Sequence, residues 1–178
     1  MSRTRRSFLA LVGTGVVGAS SGCLGGTDYE QLASGRLRTD ESILDDEEIT
    51  LTVEDDQVYT RVIDSASEAE HVRWDAVADE DGFLADSCEG TDYESHFLAL
   101  SGVVLPPDWS LTRVDSRFEN GMLYQLYRIE VVDSDRDRPQ LHSYLSKWGV
   151  TNGNAPDDIY LSQRFDRKGN ETALLNSF

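Results

Sequence analysis

Four side chains are suited by type to hold a transition metal: the thiol of Cys88 and the imidazoles of His71, His96 and His142. A cysteine thiolate, two histidines and a weak axial ligand are the donors of a blue-copper electron carrier. Such a site usually gathers its cysteine, one histidine and a methionine within a few residues of one loop. Here Cys88 is followed by EGTDYESH, and Met122 is the only methionine after Met1. The donor types are present at the wrong spacing. Three ordinary histidines and a small buried thiol are expected instead. For zinc there is no paired-cysteine or HExxH pattern. That leaves only two histidines and a carboxylate brought together from remote strands.

Calcium is suggested by DSDRDRPQ, where Asp133, Asp135 and Asp137 alternate. An EF-hand loop needs glycine at its sixth position and glutamate at its twelfth. Counted from Asp133, these positions hold Arg138 and Tyr144. The stretch reads as a solvated hairpin loop, and so does DEDG, Asp79 to Gly82. Nucleophilic catalysis lacks a GxSxG elbow. Cys88 lies between Ser87 and Glu89 in an acidic segment, which should raise its pKa rather than activate it. Carboxylates are too numerous for a glycosidase pair at a defined separation to be singled out. No catalytic residue, cofactor or metal site follows from the sequence, and a protein that is not an enzyme is expected.

The N-terminus is built differently. Arg3, Arg5 and Arg6 are the only charges before Asp28. An apolar run from Phe8 to Ala19 follows, then Ser20, Ser21, Gly22 and Cys23. A positive start, a short apolar middle and small residues before a cut describe a secretory signal. The Arg5-Arg6 pair ahead of Phe8 and Leu9 points to twin-arginine export, which carries folded proteins. Cleavage after Gly22 would leave Cys23 first and lipidated. The dense apolar part is about 12 residues, a signal-peptide length rather than a membrane span. Residues 1–22 are therefore expected to be a twin-arginine lipoprotein signal peptide.

Lysine and arginine total 16 against 33 aspartates and glutamates. Without residues 1–22, which hold three arginines and no acid, the balance is 13 against 33, a net charge of -20. Lys147 and Lys168 are the only lysines. Such a surface repels nucleic acid, so no nucleic-acid partner is expected. Three tryptophans, seven tyrosines and several β-branched runs argue against disorder and for a packed core. A folded, acidic, lysine-poor chain suits high salt, where screening relieves self-repulsion. In its twin-arginine signal, its small residues before Cys23 and its acidity, the chain resembles the exported lipoproteins of haloarchaea. The resemblance implies a lipid anchor in the cell membrane and a location on the extracellular face. If Cys23 is lipidated, Cys88 has no partner, and no disulfide framework is expected.

The elements that must position any site follow from period and punctuation. Residues 23–47, largely polar and ending in an acidic block from Asp45 to Glu48, read as a lipidated N-terminus and flexible tether. From residue 48 to 178 the text changes to short apolar runs. ITLTVE puts Ile49, Leu51 and Val53 on one strand face, and after an Asp55-Asp56 turn QVYTRVID puts Val58, Thr60 and Val62 on one face. SASEAEHVRW predicts a short helix capped by Ser65 or Ser67. HFLALSGVVLP is apolar on both faces, as in a central sandwich strand, and Pro106 stops it. Leu111 to Val132 predicts a hairpin about Asn120-Gly121. LHSYLSKW and DIYLSQRF each alternate, with Ile159, Leu161 and Phe165 inward. About seven strands predict one all-β domain, a β-sandwich with immunoglobulin-like topology.

Trp109 and Trp148 could form an aromatic ligand platform, though core is the expected role. Asn170-Glu171-Thr172 is the single N-x-[ST] sequon, past the last predicted strand, and makes Asn170 the candidate glycosylation site. The expected function is a lipid-anchored, non-catalytic binding or interaction module of the cell envelope. Its partner would be an envelope protein or a small ligand. A small-ligand or metal carrier and an envelope hydrolase are the alternatives.

Overall fold

A computed structural model describes residues 29–52, 58–132, 135–166 and 172–176; residues 165, 166 and 172–176 are described by backbone alone. The strands in chain order are β1 (Tyr29–Thr39), β2 (Val58–Ile63), β3 (His96–Leu105), β4 (Trp109–Glu119), β5 (Met122–Val131), β6 (Gln140–Val150), β7 (Ile159–Asp166) and β8 (Thr172–Asn176). Three short helices, α1 (Ala66–Ala69), α2 (Trp74–Glu80) and α3 (Gly82–Cys88), separate β2 from β3. Two four-stranded sheets form, ordered β1-β6-β3-β2 and β4-β5-β7-β8. The all-β sandwich expected from the strand pattern is the fold.

The immunoglobulin-like topology is corrected. That fold splits its strands as ABED and CFG. Here β6 crosses to the first sheet between β5 and β7, so β5 and β7 lie parallel in the second. The tether is also corrected. Tyr29 to Thr39 pairs with β6 from Val150 to Leu141. β1 hides in the sequence because it is an edge strand with Leu37 its one fully buried residue. Ile43 and Leu44 are also buried, so the folded domain begins well before residue 48. Residues 49–52 are not strand, although Ile49 and Leu51 pack partly against the core. Val53 and the Asp55-Asp56 turn lie outside the described residues.

The helices add a third layer, which explains β3. One core joins Leu84, Ala85, Cys88 and Val77 of the helices to Leu98, Leu100, Leu141 and Leu145 of the first sheet. Two others fill the space between the sheets: Tyr144 against Leu111, Tyr127 and Leu161, and Trp148 with Phe97 against Leu123 and Ile159. The first sheet is thus covered on both sides, which is why β3 and β6 read as apolar on both faces. Helices of four to seven residues are too short to show a helical period. Only the Ser65 cap, accepting from the Glu68 N–H, was legible. In β2 the buried residues are Tyr59 and Ile63, the face opposite Val58, Thr60 and Val62.

Two close approaches lie within the first sheet. Tyr59 pairs across the sheet with Gly102, and a Cβ on Gly102 would stand 2.0 Å from Tyr59 Cε1. The Tyr59 hydroxyl meets Ser143 Oγ at 2.6 Å. The β4–β5 hairpin turns on Asn120 and Gly121, both at positive φ (54° and 79°), as its two-residue turn requires. Trp148 is core, as expected, in edge contact with Phe118 at 5.0 Å between ring centroids.

Candidate interaction surface

The export and modification residues, Arg5, Arg6, Cys23 and Asn170, lie outside the described residues. The sequon does not lie past the last strand, because β8 begins at Thr172. Among the described residues no helix is long and apolar enough to cross a membrane.

The metal candidates do not assemble into a copper site. Cys88 is fully buried in α3, and its burial pushes the thiol up to about 11. His96 pairs with Gly149, while His142 pairs with Val103. Seven strand positions between them amount to about 23 Å, too far to share an ion. His71 is exposed in the α1–α2 connection. Among the described residues, the one group of three or more donors lying within 4.8 Å of one another is Asp45, Asp46 and His71, all exposed. It is already satisfied internally: His71 Nδ1 meets Asp45 Oδ1 at 2.9 Å, and Arg61 donates to Asp46 at 3.1 Å. The DEDG stretch is not a hairpin loop. It joins α2 to α3, with Asp81 capping α3 through a 3.0 Å bond from the Leu84 N–H. Asp133 lies outside the described residues.

What the fold does expose is the outer face of the second sheet. Along β5 the odd residues Leu123, Gln125, Tyr127 and Ile129 are buried between the sheets. The even residues therefore point away from the core. Strand register sets them in rows with β4 and β7: Arg117–Tyr124–Tyr160, then Asp115–Leu126–Ser162, then Arg113–Arg128–Arg164. The rings of Tyr124 and Tyr160 lie side by side, centroids 5.2 Å apart, and the Arg117 guanidinium sits 5.4 Å from the Tyr124 centroid. With exposed Met122 at the hairpin end, these residues line an open groove of about 690 Å³.

Three arginines directly across from one another repel, an arrangement that costs stability unless it is compensated. Asp115 supplies part of the compensation. Its two oxygens accept from Arg113 Nε at 2.7 Å and from Arg128 Nε at 3.1 Å. The face is chemically unlike the opposite side of the molecule. Residues 64–95, which make the helix layer, hold eleven carboxylates and one arginine, while strands β4, β5 and residues 159–164 of β7 hold four arginines and three carboxylates.

No known protein family, curated protein or solved structure matches this chain.

The tryptophans do not form a platform: Trp148 is core and Trp109 packs partly against the inter-sheet core. The tyrosines carry the exposed face instead. The signal was present in MLYQLYRIE, where Met122, Tyr124 and Leu126 share one parity. Both parities of that strand are rich in large side chains, so the alternation alone could not tell inside from outside.

Proposed function

We propose that the protein is a non-catalytic interaction module of the cell envelope, exported by the twin-arginine route and lipid-anchored through Cys23 on the extracellular face. Its outer sheet face would dock an acidic envelope protein. The N-terminal signal supports the address. The observation that carries the docking reading is the Tyr124–Tyr160 pair with Arg117 stacked beside it, on a sheet face that no described element covers. Tyrosine, methionine and arginine are the residues that protein interfaces concentrate. Arg117 and the row of Arg113, Arg128 and Arg164 call for carboxylates on the partner, and the groove beside Tyr124 and Leu126 calls for an apolar side chain.

Salt strengthens this choice of chemistry. In a concentrated electrolyte the screening length falls to about 3 Å, so diffuse charge fields no longer guide association. Short-range groups still work there: stacked rings, forked guanidinium–carboxylate pairs and buried apolar area.

A photo-crosslinking residue placed at Met122 in living cells tests the reading. One discrete adduct is expected, lost when Tyr160→Ser is added, with none from the same probe at Glu94 on the helix side. Equal adducts from both positions, or none from Met122 in protein that has reached the surface, would overturn it.

A further inference from the structure

A complement to the tyrosine groove stands on the opposite side of the same molecule. α3 buries Leu84, Ala85 and Cys88 against the first sheet and leaves Phe83 80% exposed, the barest large apolar side chain among the described residues. One bare ring is ordinary on a protein surface, so its setting decides what it means. Asp86 lies one helical turn beyond Phe83, and Asp79 near the end of α2 and Glu89 just after α3 are exposed as well. The groove calls for this combination, an apolar knob with carboxylates beside it. Its apolar lining is Met122, Tyr124, Leu126 and Tyr160, and Arg117 stands at its side. Arg117 meets Glu119 at 3.5 Å and Arg113 meets Asp115 at 2.7 Å, yet the two arginine side chains stay 72% and 64% exposed. A guanidinium has several N–H donors, so each can serve a second carboxylate while keeping the first.

Strand register sets knob and groove on opposite faces and at one level. The helix layer covers the outside of the first sheet, and the groove lies on the outside of the second. Leu84, next to Phe83, is seated over Gly35 so closely that a Cβ there would stand 2.6 Å from it. Gly35 pairs with Leu145, and Leu145 with Leu100. The next position on β3, Ser101, bonds Gln125 and Tyr127 across the sandwich, the two residues that flank Leu126. Leu84 and Leu126 thus stand at nearly the same height along the strands. Copies anchored side by side at one membrane surface, all upright in the same sense, would present knob to groove without tilting. The two patches are different surfaces, so the contact is heterologous and each copy keeps one patch open for the next.

Resting on the docking reading above, we propose that the acidic partner of the sheet face is a second copy of this chain, whose Phe83 inserts into the Tyr124–Tyr160 groove, so that copies line up head to tail on the membrane. Two copies of so acidic a chain repel one another at low salt. A concentrated electrolyte, with its screening length of about 3 Å, removes that repulsion and leaves the local fit.

The test expresses two full-length copies with different tags in the same cells, one of them carrying the photo-crosslinking residue at Met122. An adduct joining the two tags is expected, with twice the mass of one chain and its cross-linked peptide within residues 79–89. Phe83→Ser in the copy without the probe should weaken it about tenfold or more, the share of affinity that burying one phenyl ring supplies. Phe83→Ser in the probe-bearing copy should leave it unchanged, which also shows that the variant folds and reaches the surface. Glu94 stays a silent control: Ser95 beside it bonds Val150, about 17 Å along β6 from the Leu145 level of Leu84. A discrete Met122 adduct to a different protein, a double-mass adduct that Phe83→Ser leaves intact in either copy, or an equal loss from either copy overturns the self-association and leaves the docking reading standing. No adduct in protein that has reached the surface overturns both.

Discussion

Replacing His142 by glutamine should remove a large part of the protein's sensitivity to mild acid. His142 is buried, and its folded-state pKa lies at about 4 against an ordinary value of 6.5. The folded state therefore resists a proton that the unfolded chain accepts readily. Above pH 6.5 neither state binds it, and the neutral imidazole adds no penalty. As pH falls from about 6.5 toward 4, the unfolded state gains the proton first, and stability drops until the folded state is protonated too. The interval between the two values corresponds to about 3 kcal/mol. His71 acts in the opposite sense: its hydrogen bond to Asp45 raises its pKa, so it favours the fold at low pH and loses that contribution as pH rises. It is exposed and common to both proteins, so it cancels in the comparison. Urea unfolding of wild type and His142→Gln at fixed high salt, in steps from pH 7 to 4, measures the difference. Wild type should lose up to about 3 kcal/mol more than the variant across that range. Parallel curves would show that the imidazole is not held neutral by burial, and the reasoning would fail.

Gly102→Ala should destabilise by about 1–3 kcal/mol, because its methyl meets the Tyr59 ring, which is held from behind by Ser143 and the helix layer; an unchanged urea midpoint would show that the ring moves aside freely. Cys23→Ser should release the protein from membranes or leave it unprocessed, as read by fractionation and intact mass. Replacing Arg5 and Arg6 by lysine should hold folded protein in the cytoplasm, since lysine keeps the charge and loses the guanidinium geometry. The thermal midpoint should climb as salt rises from about 0.1 M to about 3 M, because the shorter screening length relieves self-repulsion; equal midpoints at both would refute the screening argument.

The strands that carry both faces in the core were legible, and so was the hairpin. HFLALSGVVL could hardly be anything but a central strand, and Asn120-Gly121 names its own turn. β1 was not legible, because YEQLASGRLRT offers one fully buried residue in eleven and gains its place from ten paired positions on β6. The helix layer was only half legible. The Ser65 cap is a local signal, whereas α3 owes its position to contacts remote in sequence, such as Leu84 seated against Gly35. The pocket that Arg36, Arg38, Arg136 and His142 line together was invisible for the same reason. Arg36 and Arg38, Arg136, and His142 come from three strands or connections that a one-dimensional reading has no means to juxtapose. Strand order decides such sites, and strand order is set by long-range pairing.

The distribution of cations then becomes informative in a way that their number was not. Beyond residue 22 the chain has 13 basic residues, and seven of them sit at two places: Arg36, Arg38 and Arg136 in the pocket, Arg113, Arg117, Arg128 and Arg164 on the sheet face. Gathering scarce cations side by side costs repulsion that dispersing them among 33 acids would avoid. Solubility does not require it, since the net negative charge already provides that. Part of the cost is recovered internally, through Asp115 on the face and the β4 carbonyls in the pocket. Glu119 adds to that recovery beside Arg117, 3.5 Å away, and Glu80 does so in the pocket. Both sites are built on β4 and its neighbours, the pocket at its first residues and the groove at its last. A mutation that shifts the β4 bulge at Thr112 should therefore disturb the contacts of Arg36 with the Leu111 and Thr112 carbonyls while leaving the Tyr124–Tyr160 pairing intact, since that pair is held by the parallel β5–β7 register.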